Sequence, residues 1–178
     1  GAACCQCKEL KAVALPDGIT NVADSLFYGC WDLDTVNIPK SATRIGVEAY
    51  CSVGDNNASP IVMPDGVVTI GDRAFVGSKR FDTLVIPSTV TSFGKEVFDG
   101  SKIKVLVVPG NIQTITKNAF YACEIETIIL KEGITKIEEF GLSGNYVTSL
   151  TLPSTITDLE YCALDCSKLK TIVCLATE

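Results

Sequence analysis

The sequence predicts a β-rich solenoid, a coil wound about seven times from a unit of 22–25 residues. Three observations carry that expectation. First, an anchor recurs at Pro16, Pro39, Pro64, Pro87, Pro109, Lys131 and Pro153, with intervals of 23, 25, 23, 22, 22 and 22 residues. Second, the residues three past the anchor (Ile19, Ala42, Val67, Val90, Ile112, Ile134, Ile156) and six past it (Val22, Ile45, Ile70, Phe93, Ile115, Ile137, Leu159) are apolar in every copy. Third, ten and eleven past it a small residue mostly precedes a large one, as in Ala49-Tyr50, Ala74-Phe75, Val97-Phe98 and Ala119-Phe120. Neither a single helix nor a single strand has that spacing. Within the copy Pro64–Ile86 it reads as a short extended piece, a turn-rich or helical bend near Gly71 to Phe75, a Gly-Ser turn and a strand Thr83–Ile86 stopped by Pro87. One such copy buries too little apolar surface to offset the ordering of its own backbone, so the copies must stack and share a core.

The spacing I-P-x-x-V-T-x-I-G-x-x-A-F-x-x-C-x-x-L-x-x-I resembles the bacterial surface-antigen, or BspA-like, leucine-rich repeat. Gly46, Gly71 and Gly94 match its glycine, Cys30 and Cys123 its cysteine, and the match runs from Leu10 to Leu175. The resemblance implies an α/β-class leucine-rich repeat, a right-handed curved coil with a parallel sheet on its concave face. It also implies a secreted or surface-anchored protein that attaches to host or bacterial partners. Copies six and seven depart most, with Glu138 and Glu160 in place of glycine and Leu142 and Leu164 in place of phenylalanine.

Taken in order, residues 1–15 form an N-terminal edge with a first strand over Leu10–Leu15, and residues 16–178 form the solenoid, all as one domain. The chain begins with Gly and ends in a strand with no polar terminal coil, which suggests a piece of a longer protein or an open edge covered in an assembly. Cys4, Cys5 and Cys7 suit a frayed or incidental terminus better than a metal site, because the chain has no histidine and no second cysteine pair at zinc spacing. In copy one Trp31 lies where the unit is otherwise polar, either as a lid on the coil edge or as an exposed anchor, with the lid favoured. Copy two carries an insertion, Ser52–Ser59, whose Asp55, Asn56 and Asn57 lack the alternating carboxylates and closing glutamate of a calcium loop. Copies three to five are the most regular. Fourteen past the anchor, Cys30, Ser78, Ser101, Cys123, Asn145 and Ser167 can hydrogen-bond the turn backbone of adjacent coils. The nine cysteines are odd in number and irregularly placed, so most read as small buried thiols, although Cys162 and Cys166 could face each other on one turn.

Composition narrows the function. A net charge of −6 disfavours nucleic acid and anionic membranes, and no apolar run approaches the length that spans a bilayer. Without histidine, the Ser-His-Asp and Cys-His arrangements cannot be built, and no Gly-rich phosphate loop is present. The carboxylate pairs Asp32/Asp34 and Glu138/Glu139 read as solvated turns, not as an acid and base. No catalytic residue, cofactor or metal is expected.

What remains is a surface. Strand alternation sends Ala14, Asn37, Val62, Val85, Val107, Ile129, Thr151 and Val173 outward, and two residues earlier Ala12, Thr35, Pro60, Thr83, Val105, Thr127, Ser149 and Thr171. The expected site is an apolar ridge, Val62, Val85, Val107 and Ile129, flanked by Thr83, Val105 and Thr127, docking a protein partner in an extracellular or cell-surface setting. The alternative is a glycan-binding module that uses Trp31, Tyr28 and Tyr121 as stacking platforms.

Overall fold

The computed structural model describes residues 3–54, 59–78 and 81–175. Every regular element is a strand, and each is short. In chain order they are β1 (Ala12–Val13), β2 (Asn21–Val22), β3 (Thr35–Val36), β4 (Arg44–Ile45), β5 (Thr69–Ile70), β6 (Phe81–Val85) and β7 (Ser92–Phe93). There follow β8 (Ile103–Val108), β9 (Thr114–Ile115), β10 (Thr127–Leu130), β11 (Lys136–Ile137), β12 (Ser149–Leu152), β13 (Asp158–Leu159) and β14 (Thr171–Cys174). All pairings are parallel and join equivalent positions of neighbouring coils. The chain is thus a parallel-strand solenoid of about seven coils, the fold class its periodicity predicts. The bend near Gly71–Phe75, for which a helix was one expectation, is a run of turns.

Each coil has three sides. The longer strands β6, β8 and β10 form one sheet, with β1·β3 and β12·β14 as separate pairs on the same side of the repeat. The two-residue strands form a second side, ordered β2-β4-β5-β7 and β9-β11-β13. The third side is the turn region, and it too is a ladder. Counting from the anchor, the amides at +9, +11 and +13 donate to the carbonyls at +8, +10 and +12 of the following coil. Thus Arg73, Phe75 and Gly77 donate to Lys95, Val97 and Asp99 O at 2.8–2.9 Å, and the pattern continues to Gly144 on Asp165 O. This geometry needs left-handed backbone at +9 in every copy, at Ser25, Glu48, Arg73, Glu96, Asn118, Phe140 and Cys162, with φ of 50–57°. None of those residues is β-branched, the type that tolerates the conformation least. Cys4 and Gln6 sit in the same frame. Their amides donate to Leu26 O and Tyr28 O, and Gln6 has φ of 57°, so this stretch is half a coil, not the frayed terminus expected from sequence.

The apolar columns fill the interior. Val22, Ile45, Ile70, Phe93, Ile115 and Ile137 are buried, and the rings of Phe27, Tyr50, Phe75, Phe98 and Phe120 stack coil on coil with centroids 5.1–5.4 Å apart. The last coil is the exception, since Leu159 and Ile172 are exposed where their counterparts are buried. Close approach explains the glycine column: a Cβ at Gly71 would stand 2.6 Å from Val47 N. Where copies six and seven replace that glycine, Glu138 and Glu160 reach back to the amides of Lys117 (2.8 Å) and Glu139 (3.0 Å). The equivalent amides of Val47 and Lys95 are held from the other direction, by Asp24 and Asp72 at 2.9 Å.

The polar column at +14 also spans coils. Cys30 Sγ donates to Cys4 O (2.9 Å), Ser101 Oγ to Phe75 O (2.6 Å), and Cys123 Sγ to Phe98 O (2.9 Å). Asn145 does most: its Oδ1 accepts from the amides of Cys123 and Ile125, and its Nδ2 donates to Phe120 O, Leu142 O and Ser143 O. In copy seven a tighter turn, with the Cys166 amide on Leu164 O, gives this role to Cys166 in place of the expected Ser167. Ser78 shares the column and is buried, yet among the described residues its hydroxyl has no partner. All nine cysteines are free thiols, Cys162 and Cys166 included. Burial pushes the Cys123 thiol far up, which keeps it protonated as a donor.

Candidate interaction surface

The parallel register of β6, β8 and β10 assembles the ridge. Val85 pairs with Val107 and Val107 with Ile129, while Thr83 pairs with Val105 and Val105 with Thr127. Leu84, Leu106 and Ile128, the residues between the two rows, point inward and are buried, which fixes both rows on the outer face. Val85 is 54% exposed and Ile129 40%, whereas Val107 and Val105, flanked on both sides, are half-buried. Exposed Asp82, Lys104 and Glu126 add a third row of alternating charge at the entry to the strands. The face is therefore banded along the solenoid axis: charge, then hydroxyl and valine, then apolar.

Val62 does not join the ridge as the sequence suggested. It is the most exposed large apolar residue described, at 77%, but it lies in a segment that belongs to no strand. Among the described residues the main chain of Ile61, Val62 and Met63 makes no hydrogen bond. The physical reason is local. Pro60 occupies the slot that Thr35 and Thr83 fill in neighbouring coils and has no N–H to donate, and Pro64 closes the segment four residues later. A cleft of about 570 Å³ opens beside it, lined by Ile38, Lys40, Pro60, Val62, Met63 and Asp65 among others. The ridge thus has three members in register, with Val62 standing apart across the break.

The carboxylate pairs are tied into the scaffold. Asp32 meets Lys11 at 3.0 Å, Glu139 meets Lys117 at 2.5 Å, and Glu138 caps an amide. Further ion pairs step from coil to coil, Arg44 to Asp24 and Lys136 to Glu160. Arg44 and the Val47 amide hold the Asp24 carboxyl below its usual range, and Lys136 does the same for Glu160. Among the described residues no cluster of three histidine, cysteine, aspartate or glutamate side chains could hold a metal. Asp55, Asn56 and Asn57, read from sequence as lacking the pattern of a calcium loop, lie outside the described residues. No described helix is long and apolar enough to cross a membrane.

Of the aromatics singled out as stacking platforms, Tyr28 and Trp31 line one cavity, and Trp31 is 54% exposed, closer to an anchor than to the lid favoured from sequence. Tyr121 stands elsewhere, edge to face with Phe140, which in turn packs edge to face with Tyr161. That run of three was not visible in the sequence, because the rings come from positions +12, +9 and +8 of successive coils.

A parallel solenoid with an interior of stacked apolar columns and a banded outer sheet defines the class: a leucine-rich repeat scaffold. More narrowly, the chain belongs to the BspA type leucine rich repeat region family, whose pattern it matches in six copies over residues 2–104 and 91–177. It is similar to a leucine rich cell surface protein from Faecalibacterium prausnitzii, with 22% identity and a TM-score of 0.72 over 93% of this chain and 48% of that one. A T. pallidum leucine-rich repeat protein matches at 25% identity and a TM-score of 0.67, over 92% of this chain and 74% of that one. A leucine-rich repeat protein from Bacteroides ovatus gives 20% and 0.64, over 99% and 58%. The chain spans about half the length of the first of these. No curated protein sequence matches it.

Proposed function

We propose that the chain is a non-enzymatic protein-interaction module of an extracellular or cell-surface protein, and that it docks a protein partner on the face carried by β6, β8 and β10. The observation that carries this reading is the register itself: three apolar side chains, Val85, Val107 and Ile129, stand side by side on an outer face, with Thr83, Val105 and Thr127 beside them. A contiguous apolar strip rimmed by hydroxyl and charged groups suits the core and rim of a protein interface. The stacked coils beneath hold it rigid, so little ordering is required on binding. Family membership and the likeness to a cell-surface protein support the setting.

The test is to immobilise a panel of host-matrix and bacterial surface proteins and measure retention of the native chain and of the triple variant Val85→Lys, Val107→Lys, Ile129→Lys. Retention by at least one partner that the triple variant loses is the expected result. Equal retention of both chains refutes the docking face.

A further inference from the structure

We infer that the cavity bounded by Trp31, Tyr28, Gln6, Lys8, Gly29 and Ser52 is a saccharide site that takes a single pyranose unit. Position +13 of three successive coils supplies its floor: Gln6 in the N-terminal half coil, Gly29 in copy one and Ser52 in copy two. Gly29 is the low point. A Cβ there would stand 3.6 Å from Gln6 Cγ and 4.0 Å from Trp31 Nε1, so its absence leaves the hollow open. The wall comes from position +15, where Lys8 and Trp31 are neighbours and Lys8 Nζ lies over the indole, 5.0 Å from the ring centroid. The next coil places Gly54 in that column, and glycine has no side chain to set over the indole. The hollow measures about 170 Å³.

The contents of the cavity select the ligand class. Among the described residues, neither the Gln6 side-chain amide nor the Tyr28 hydroxyl is engaged in a hydrogen bond, so a planar amide and a phenol are free beside an exposed indole. A pyranose offers both things the site can use: axial C–H groups for the electron-rich ring face and hydroxyls for the amide and phenol. An apolar ligand would leave those polar groups unpaired, and a cationic one would meet the like charge of Lys8 at the same wall. This site is independent of the docking face on β6, β8 and β10.

The chain has one tryptophan, so its emission reports this cavity alone. The full chain is titrated with D-glucose, D-galactose, N-acetyl-D-glucosamine and D-glucuronate, with glycerol as the non-cyclic control. At least one pyranose is expected to change Trp31 emission saturably with a Kd on the order of millimolar. Gln6→Ala and Tyr28→Phe, both surface changes, should each weaken that response about fivefold. Saturation-transfer NMR from the sugar C–H protons to the indole provides a second readout. The inference is overturned if none of the four sugars gives a saturable response, if glycerol gives the same one, or if both variants bind as the native chain does.

Discussion

Removing the ring of Phe98 probes the continuous interior most directly. Phe98 is fully buried and meets three rings, Phe75 at 5.1 Å, Phe120 at 5.4 Å and Phe81 at 5.5 Å, the first two stacked and the third edge to face. Deleting a buried phenylalanine ring costs about 3–5 kcal/mol, and aromatic pairs contribute ~0.5–1.5 kcal/mol each beyond area, so Phe98→Ala should sit at the upper end, about 5 kcal/mol. Phe27 is equally buried but meets only Tyr50, at 5.4 Å and tilted by 40°. Phe27→Ala should therefore cost nearer 3 kcal/mol. Urea unfolding followed by far-ultraviolet dichroism and by Trp31 emission measures both, and two probes are needed because a repeat array can open coil by coil. A loss below about 1 kcal/mol for Phe98→Ala, or an equal loss for the two variants, would refute the shared interior.

Asn145→Ala strips partners from two amides and three carbonyls in a buried turn. It should cost about 3–5 kcal/mol, read as a fall in the urea midpoint. Ser25 has φ of 53°. Ser25→Gly should stabilise by up to ~1 kcal/mol and Ser25→Val destabilise by more than that, as thermal melting would show. Arg44 keeps the Asp24 carboxyl below its ordinary value of 3.8, and Lys136 keeps Glu160 below its ordinary 4.5. Their contribution is thus present above those values and lost as pH falls through the depressed ones, so the urea midpoint should drop as pH falls below 4.5. Asp24→Asn combined with Glu160→Gln should flatten that drop. Thiol labelling without reductant should modify exposed Cys7 and Cys174 at once and buried Cys30 and Cys123 only on unfolding, reaching nine thiols in denaturant.

The outward rows on β6, β8 and β10 were legible because strand alternation has a period of two and the anchor proline sets its phase, so knowing that Ile86 faces inward places Val85 and Thr83 outside. The same rule misplaced Val62. Its alternation is correct, but the ladder that would align it fails at Pro60, and pairing between coils cannot be deduced from one strand. Trp31 was read as a lid because the sequence shows which column it occupies and not what its neighbour leaves bare. Gly54 in the next coil and Gln6 in the half coil before it make the difference.

Read without coordinates, the residues already set the length of the coil, the columns that face the interior and the sense in which each outer strand presents its side chains. These follow from spacing along one chain, where apolar burial and steric alternation act locally. What lies across from what came with the packing of the coils: the left-handed turns that form a third ladder, the five bonds of Asn145, the break beside Val62, and the meeting of Gln6, Tyr28 and Trp31. Each of those depends on distances between coils of a few ångströms, which the repeat period leaves free and close packing then fixes.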